Sequence, residues 1–274
     1  MRHELFALAL STLVIVACGD GADDGTSTSS SGGGGSASSS SGGGAGGAGP
    51  STSSSSGAGG GGGSALPSYA SFHLNYTQTK DWSKCAERDF VIFDLFDTPA
   101  ADIAQCAAMG ARMLCYVSSQ YEAWRPDASS FGALGEELDG WPGEYWIDAD
   151  DPQNLAVLVA RLDLAVSKGC EGIDLDNIDR DGHEAYVAEI FTEARARGLL
   201  VSQKNAVDKI DLFFDLVDLY QNEECQHYAE CGAYAELGRP VYNIEYTPCQ
   251  TLPYLYSHRK NVDTMDAWEG ACSP

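Results

Sequence analysis

Asp151-Pro-Gln-Asn-Leu-Ala-Val-Leu-Val-Ala-Arg-Leu-Asp-Leu-Ala-Val-Ser-Lys-Gly169, followed after two residues by Gly172-Ile-Asp-Leu-Asp-Asn177, reads as one helix and one strand in succession. Asp151 offers an N-cap oxygen, Pro152 suits the first turn, and Gly169 supplies the left-handed stop that ends a helix. The strand is apolar until its acids, Asp174 and Asp176, which stand two apart and so share a face. Working outward, the same unit recurs. Short β-branched or aromatic runs predict strands at 72–76, 90–95, 112–117, 172–176, 200–204, 217–222, 241–246 and 262–265. Helical-period runs predict helices at 99–109, 152–168, 183–197, 207–214, 228–237 and 253–260, and Gly110, Gly198 and Gly238 each precede a strand. Alternating βα units predict an α/β fold with a parallel sheet, and eight strands close one: a (β/α)₈ (TIM) barrel in a single domain over 66–274.

The stretch before it has other business. Met1-Arg-His3 and an apolar run over 5–17 form a signal peptide at 1–17, too short for a bilayer span. Ile15-Val-Ala-Cys18 resembles a lipobox, which makes Cys18 the lipidated first residue of a mature protein anchored at the cell envelope or surface; the alternative is an ordinary cleaved signal and free secretion. Residues 18–65 are Ser, Gly, Ala and Thr with few acids and no aromatics, a composition that cannot offset ordering entropy. As a Gly-rich coil this linker spans roughly 35–40 Å.

Of nine cysteines, Cys18 aside, eight remain, an even number that points to disulfides in an exported chain. The local pairs Cys225 with Cys231 and Cys249 with Cys272 are the preferred pairings, and the lack of any C-x-x-C argues against zinc. With 40 acidic and 16 basic residues the net charge is −24, which repels nucleic acid and gathers cations and cationic polymers; solubility alone would also account for it. Asn177-Ile-Asp-Arg-Asp-Gly182 imitates the start of a calcium loop, but Ala188 stands where the bidentate acid is needed, so no metal and no cofactor is expected. The absence of G-x-S-x-G disfavours a serine hydrolase.

Charged groups are costly to bury idle, yet predicted strands end in Asp94, Asp174 and Asp176, Lys204 and Asn205, Glu223, and Glu245. In a barrel these ends converge on one mouth, and the long aromatic connection at 118–151 follows a strand onto that face. Glycoside hydrolysis needs two carboxyls across the sugar bond. Strands two apart are about 9–10 Å apart at the backbone, given roughly 4.8 Å between neighbours, so Asp176 and Glu223 can face each other. The rival reading makes them a structural pair with Lys204 or Arg125.

Asp94-Leu-Phe-Asp-Thr98, Cys115-Tyr-Val-Ser118, Glu122-Ala-Trp-Arg-Pro-Asp127, Trp141-Pro-Gly-Glu144, Arg161-Leu-Asp-Leu-Ala165, Gly172-Ile-Asp-Leu-Asp-Asn177, Asn222-Glu-Glu-Cys225, Tyr228-Ala-Glu-Cys231 and Val241-Tyr-Asn-Ile-Glu-Tyr246 occur in order over about 69–272. Together they resemble glycoside hydrolase family 114, the endo-α-1,4-polygalactosaminidases. The resemblance implies endo-cleavage of α-1,4-linked galactosamine polymers, with Asp176 and Glu223 as the catalytic carboxylates. It also implies a cleft lined by Asp94, Tyr116, Arg125, Asn177, Asn205, Glu245 and Tyr246; apart from the resemblance, the stacked charges assign Asp174 to substrate binding or pKa tuning, and Lys204, a lone cation among acids, to holding a carboxylate in the substrate-binding mouth. A galactosamine polymer is a polycation, which gives the acidic charge a partner; the protein is expected to be a monomer that meets the membrane only through its lipid. Leu175 stands where the family has Pro, and the loop after Asn177 is short, which bears on substrate length. The rival functions are a non-catalytic polysaccharide-binding lipoprotein and a hydrolase of another amino-sugar or neutral glycan.

Overall fold

Phe90-Val-Ile-Phe-Asp94 is buried at every position, as expected of a strand covered on both faces. In the computed structural model, which describes residues 66–274, eight strands pair in parallel in chain order, the last of them only half-buried. They are β1 (Phe72–Asn75), β2 (Phe90–Asp94), β3 (Arg112–Ser118), β4 (Gly172–Asp176), β5 (Leu200–Lys204), β6 (Leu219–Glu223), β7 (Val241–Glu245) and β8 (Tyr256–Arg259). A short antiparallel β9 (Gly270–Ala271) extends β8. The expected export signal, Cys18 and the Ser/Gly linker lie outside the described residues.

Alternation along the strands sorts the apolar residues into two cores. Phe72, Leu74, Phe90, Ile92, Leu114, Leu219, Tyr242 and Ile244 fill the lumen. Val91, Phe93, Met113, Val117, Ile173, Leu175, Val201 and Val241 face the helices. Those helices are α1 (Trp82–Glu87), α2 (Ala100–Ala108), α3 (Pro152–Lys168), α4 (Glu184–Ala196) and the short α5 (Ile210–Phe213). The sequence reading of α3 holds at both ends: the Asp151 side chain accepts from the Gln153 N–H, and Gly169 closes the helix at φ 87°. Gly172 opens β4 in a gap where a Cβ would meet Leu114 and Leu200 atoms at 2.7 Å.

The fold is thus a (β/α)₈ barrel, with a seam of unusual make. Among the described residues no ladder joins β8 to β1. The gap is bridged by the chain after β8: Tyr76 N–H donates to the Met265 carbonyl at 3.0 Å, Arg88 donates to Glu269, and the Phe72 ring stacks between Phe90 and Tyr242 with centroids 5.0 and 5.2 Å away.

Several expected elements change. The eighth strand lies at Tyr256–Arg259, inside the span expected to be helical at 253–260, and the expected strand at 262–265 is part of the seam loop. Parallel pairing with the free edge of β7, a long-range gain, overrides the local helical spacing. The helix expected at 228–237 shrinks to a single 3₁₀ turn, Cys231–Tyr234, in a segment tied by the Cys225–Cys231 disulfide and broken by left-handed Ala229. The helix α1, capped by Asp81, was not expected. The 118–151 connection folds into its own antiparallel sheet of Tyr121–Glu122, Glu144–Ile147 and Leu134–Glu137.

All eight described cysteines pair: Cys85–Cys106, Cys115–Cys170, Cys225–Cys231 and Cys249–Cys272. The two local pairings agree with the sequence reading. Cys115–Cys170 closes 55 residues around the inserted sheet and α3, a loop worth about 4 kcal/mol of unfolded-state entropy.

Candidate active site

Strand register brings the polar ends together. Ser118 pairs with Asp176 across β3 and β4, and Lys204 with Gln221 across β5 and β6, so the ends of β4, β5 and β6 open on the same side. Ile173 and Leu175 face the helices, which turns Asp174 and Asp176 into the lumen. The residue just after each of these strands is left-handed: Asn177 (φ 58°), Asn205 (φ 53°) and Glu224 (φ 62°). Asn tolerates that conformation and Glu does so at a cost, and backbone strain of this kind gathers at working sites. Each turn moves the chain sharply away and leaves the preceding side chain at the mouth.

The centre of the site is the Lys204 ammonium, 2.8 Å from Asp176 Oδ2 and 2.8 Å from Glu223 Oε2. Two oxygens each that close to one nitrogen are at most twice the distance apart, about 5.6 Å. Asp176 Oδ2 also accepts from the Tyr116 hydroxyl at 2.9 Å, and its Oδ1 from the Asn177 N–H at 2.8 Å. Glu223 Oε1 accepts from the Tyr246 hydroxyl at 2.8 Å. Asn205 holds Glu223 from behind, its Oδ1 accepting the Glu223 N–H at 2.8 Å. Burial would strip the Lys204 proton, but the charges of Asp176 and Glu223 outweigh it and hold the ammonium above the usual lysine range. Lys204 is a permanent cation between two acids. The Glu223 side chain is 19% exposed and that of Asp176 11%, so both reach solvent at the mouth, the groove where a substrate would lie.

Asp174 sits one layer deeper, fully buried, with Oδ1 accepting from Ser202 Oγ at 2.6 Å. Burial pushes its carboxyl up to about 7. It underlies the groove and does not line it. A carboxyl whose folded pKa exceeds its unfolded value contributes stability that is whole below about pH 4 and is lost as pH rises through about 7. The uncharged isostere Asp174→Asn is therefore expected to melt close to the parent at pH 5 and several degrees above it at pH 8. A melting difference that does not change with pH would remove this account of Asp174.

Asp94 and Arg125 close on each other in a two-pronged pair at 3.0 and 2.8 Å, and Glu122 completes the cluster at 2.9 Å from Arg125. Arg125 is 7% exposed and braces the inserted sheet against β2. Glu245 takes the other face of β7, with Val241, and is 1% exposed; it accepts from the Gln226 N–H at 2.8 Å and from Asn243 at 2.9 Å. Glu245 does not face the lumen, because alternation along β7 turns it to the helix layer, whereas Asp94 ends β2 on the lumen side and is held by Arg125. Tyr116, Asn177, Lys204, Asn205 and Tyr246 do converge on the two acids.

One site residue escaped the sequence reading. Glu144, on the inserted sheet, accepts from Asn177 Nδ2 at 3.3 Å, while the same amide donates to Ser118 Oγ at 3.0 Å. Burial first, then Glu122 and Asp176, push its carboxyl up to about 7. Its only sequence signal was the Trp141-Pro-Gly-Glu144 string, whose position in a loop gave no direction.

The model of glycoside hydrolase family GH114 matches residues 62–272. Among solved structures, Ega3 of Aspergillus fumigatus in complex with galactosamine is similar at 28% identity, covering 76% of this chain and 96% of that one with a TM-score of 0.66. The glycoside hydrolase domain of PelA from Pseudomonas aeruginosa, at 14% identity, shares the fold over 76% of this chain and all of its own, with a TM-score of 0.60. An uncharacterized protein of Deinococcus radiodurans is 29% identical over 224 residues, 66% of this chain and 70% of its own.

Proposed function

Because the chain belongs to glycoside hydrolase family GH114, we propose that it is an endo-acting hydrolase of α-1,4-linked galactosamine-containing polysaccharide, with Asp176 and Glu223 as its two working carboxylates. The observation that carries this reading is the Lys204 bridge, which sets the two acids no more than about 5.6 Å apart at their nearest oxygens. That ceiling is compatible with the roughly 5–5.5 Å of double displacement and lies short of the roughly 6.5–9.5 Å that leaves room for an inverting water.

Asp176 is the nucleophile. Tyr116, Lys204 and the Asn177 N–H fix both its oxygens, so it meets the anomeric carbon without reorganisation. Glu223, held by Tyr246 and Asn205, must first take up a proton from solvent at the mouth; it then gives that proton to the leaving oxygen as the glycosidic bond breaks and an Asp176 ester forms. Water then attacks that ester, Glu223 takes back a proton, and the sugar leaves with its configuration kept. The galactosamine substrate is supported by the Ega3 complex and by the −24 charge, which draws a polycation to the groove. Four disulfides fit export, and the lipid anchor at Cys18 with its linker belongs to the same proposal.

Incubating the protein with a partly deacetylated α-1,4-galactosamine polymer is expected to release new reducing ends, with the α anomer formed first by proton NMR. First formation of the β anomer would exclude double displacement. Faster cleavage of a neutral or fully acetylated polymer would move the substrate to another glycan.

A further inference from the structure

A cavity of about 560 Å³ is lined by Tyr246, Lys260, Asn261, Val262, Asp266 and Trp268, of which only Tyr246 enters the chemistry above. Tyr246 follows β7 and Lys260 follows β8, so the cavity opens on the mouth end of the barrel. It adjoins the acids through Tyr246, one of its lining residues, whose hydroxyl donates to Glu223 Oε1 at 2.8 Å. Its volume lies within the roughly 300–1,000 Å³ of small-ligand sites, room for a pyranose ring.

The opposite wall is built for a ring. Trp268 is 50% exposed. One side of its indole is backed: the Arg259 guanidinium lies over it 5.9 Å from the ring centre, and a Cβ on Gly270 would meet it at 2.8 Å. An indole covered on one side and open on the other is a stacking platform.

The wall is also fixed. Lys260, 2% exposed, donates from Nζ to the carbonyls of Leu74, Asp266 and Trp268 at 2.5, 2.9 and 3.0 Å. Its charge is committed to the backbone and ties the loop carrying Trp268 to β1. Asp266 turns its carboxylate to the Trp268 N–H at 2.8 Å and the Thr264 hydroxyl at 3.0 Å. The backbone bond, with the Thr264 hydroxyl behind it, holds that carboxyl below the usual range, so an anion stands beside the platform.

We propose that this cavity is a sugar subsite next to the cleavage point, which holds one amino-sugar ring of the polymer by stacking on Trp268 and pairing its ammonium with Asp266. The proposal rests on the galactosamine reading of the substrate.

The test is calorimetric titration of the inactive Glu223→Gln protein with an α-1,4-galactosamine pentamer. In that background Trp268→Ala is expected to weaken binding about tenfold, and Trp268→Phe to restore most of it. Asp266→Asn keeps the oxygen that caps Trp268 N–H and is expected to weaken binding about fivefold at low salt, the difference shrinking at high salt; it tests the site even if Trp268→Ala does not fold. Unchanged affinity in both variants, with melting temperatures like the parent's, would overturn the subsite and leave the hydrolase reading standing. If Glu223→Gln binds no pentamer and the wild type cleaves none, the substrate reading fails and the subsite falls with it.

Discussion

Asp176→Asn and Glu223→Gln should each remove chain cleavage almost completely while the protein stays folded. Removing a positioned general acid and base costs on the order of 10²–10⁴ in rate, and removing a nucleophile closes the covalent route altogether. The amides are near-isosteric, so the barrel core is untouched. Their NH₂ must, however, sit beside donors: Glu223 now faces Lys204 and Tyr246, and Asp176 faces Tyr116, Lys204 and the Asn177 N–H. A modest drop in melting temperature is expected from those lost acceptors. The two roles separate with external azide on the Ala variants. On a galactosaminide with a good leaving group, which departs without acid assistance, Glu223→Ala should recover activity and yield the glycosyl azide of retained configuration, while Asp176→Ala should yield the inverted one. Cleavage at wild-type rate by either amide variant would end the assignment.

Lys204→Met carries the second large effect. Taking one partner from a buried charge cluster leaves the rest uncompensated, a loss of roughly 3–5 kcal/mol. Here two carboxylates within about 5.6 Å would face each other without a cation. Like charges so placed cannot both ionise freely, and one would take up a proton with a raised pKa. The sign follows from linkage: the raised acid contributes stability at low pH and loses it as pH climbs through its folded pKa, so the deficit of Lys204→Met should shrink on acidification. Activity should fall by about 10²-fold or more, because neither acid keeps its orientation. Lys204→Arg should not rescue it, since a planar fork cannot place one nitrogen 2.8 Å from both oxygens in the space of an ammonium. A Lys204→Met protein with parental stability and turnover would show that the bridge is incidental.

The acids were legible because alternation is simple: in Gly172-Ile-Asp-Leu-Asp176 two acids two apart must share a face, and a barrel strand buried on both sides admits them only towards the mouth or a partner. What spacing could not give was depth. Asp174 and Asp176 share the lumen, yet one is sealed with Ser202 and the other meets solvent and Tyr116. The same rule, applied to Glu245 one residue out of phase, points it at the helix layer and away from the groove. The partners of Arg125 were not legible either: Asp94 is distant in sequence, and Glu122 lies on a sheet that only the folded insertion creates.

The amino-acid sequence determined by itself whatever local chemistry decides: the limits of α3 through Asp151, Pro152 and Gly169, the βα rhythm of the core, and the charge of −24, while for the disulfides it gave an even count and a preference for local pairs but no pairing. Tertiary structure alone decided β8, which pairs with the free edge of β7 against its local helical spacing, and the seam where Lys260 and Glu269 stand in for a missing ladder. It alone set Lys204 between Asp176 and Glu223 and brought Glu144 to Asn177. The reason is physical: caps and periodicity act over a few residues, whereas edge pairing and the meeting of charges depend on which distant segments the closed barrel brings within hydrogen-bond reach.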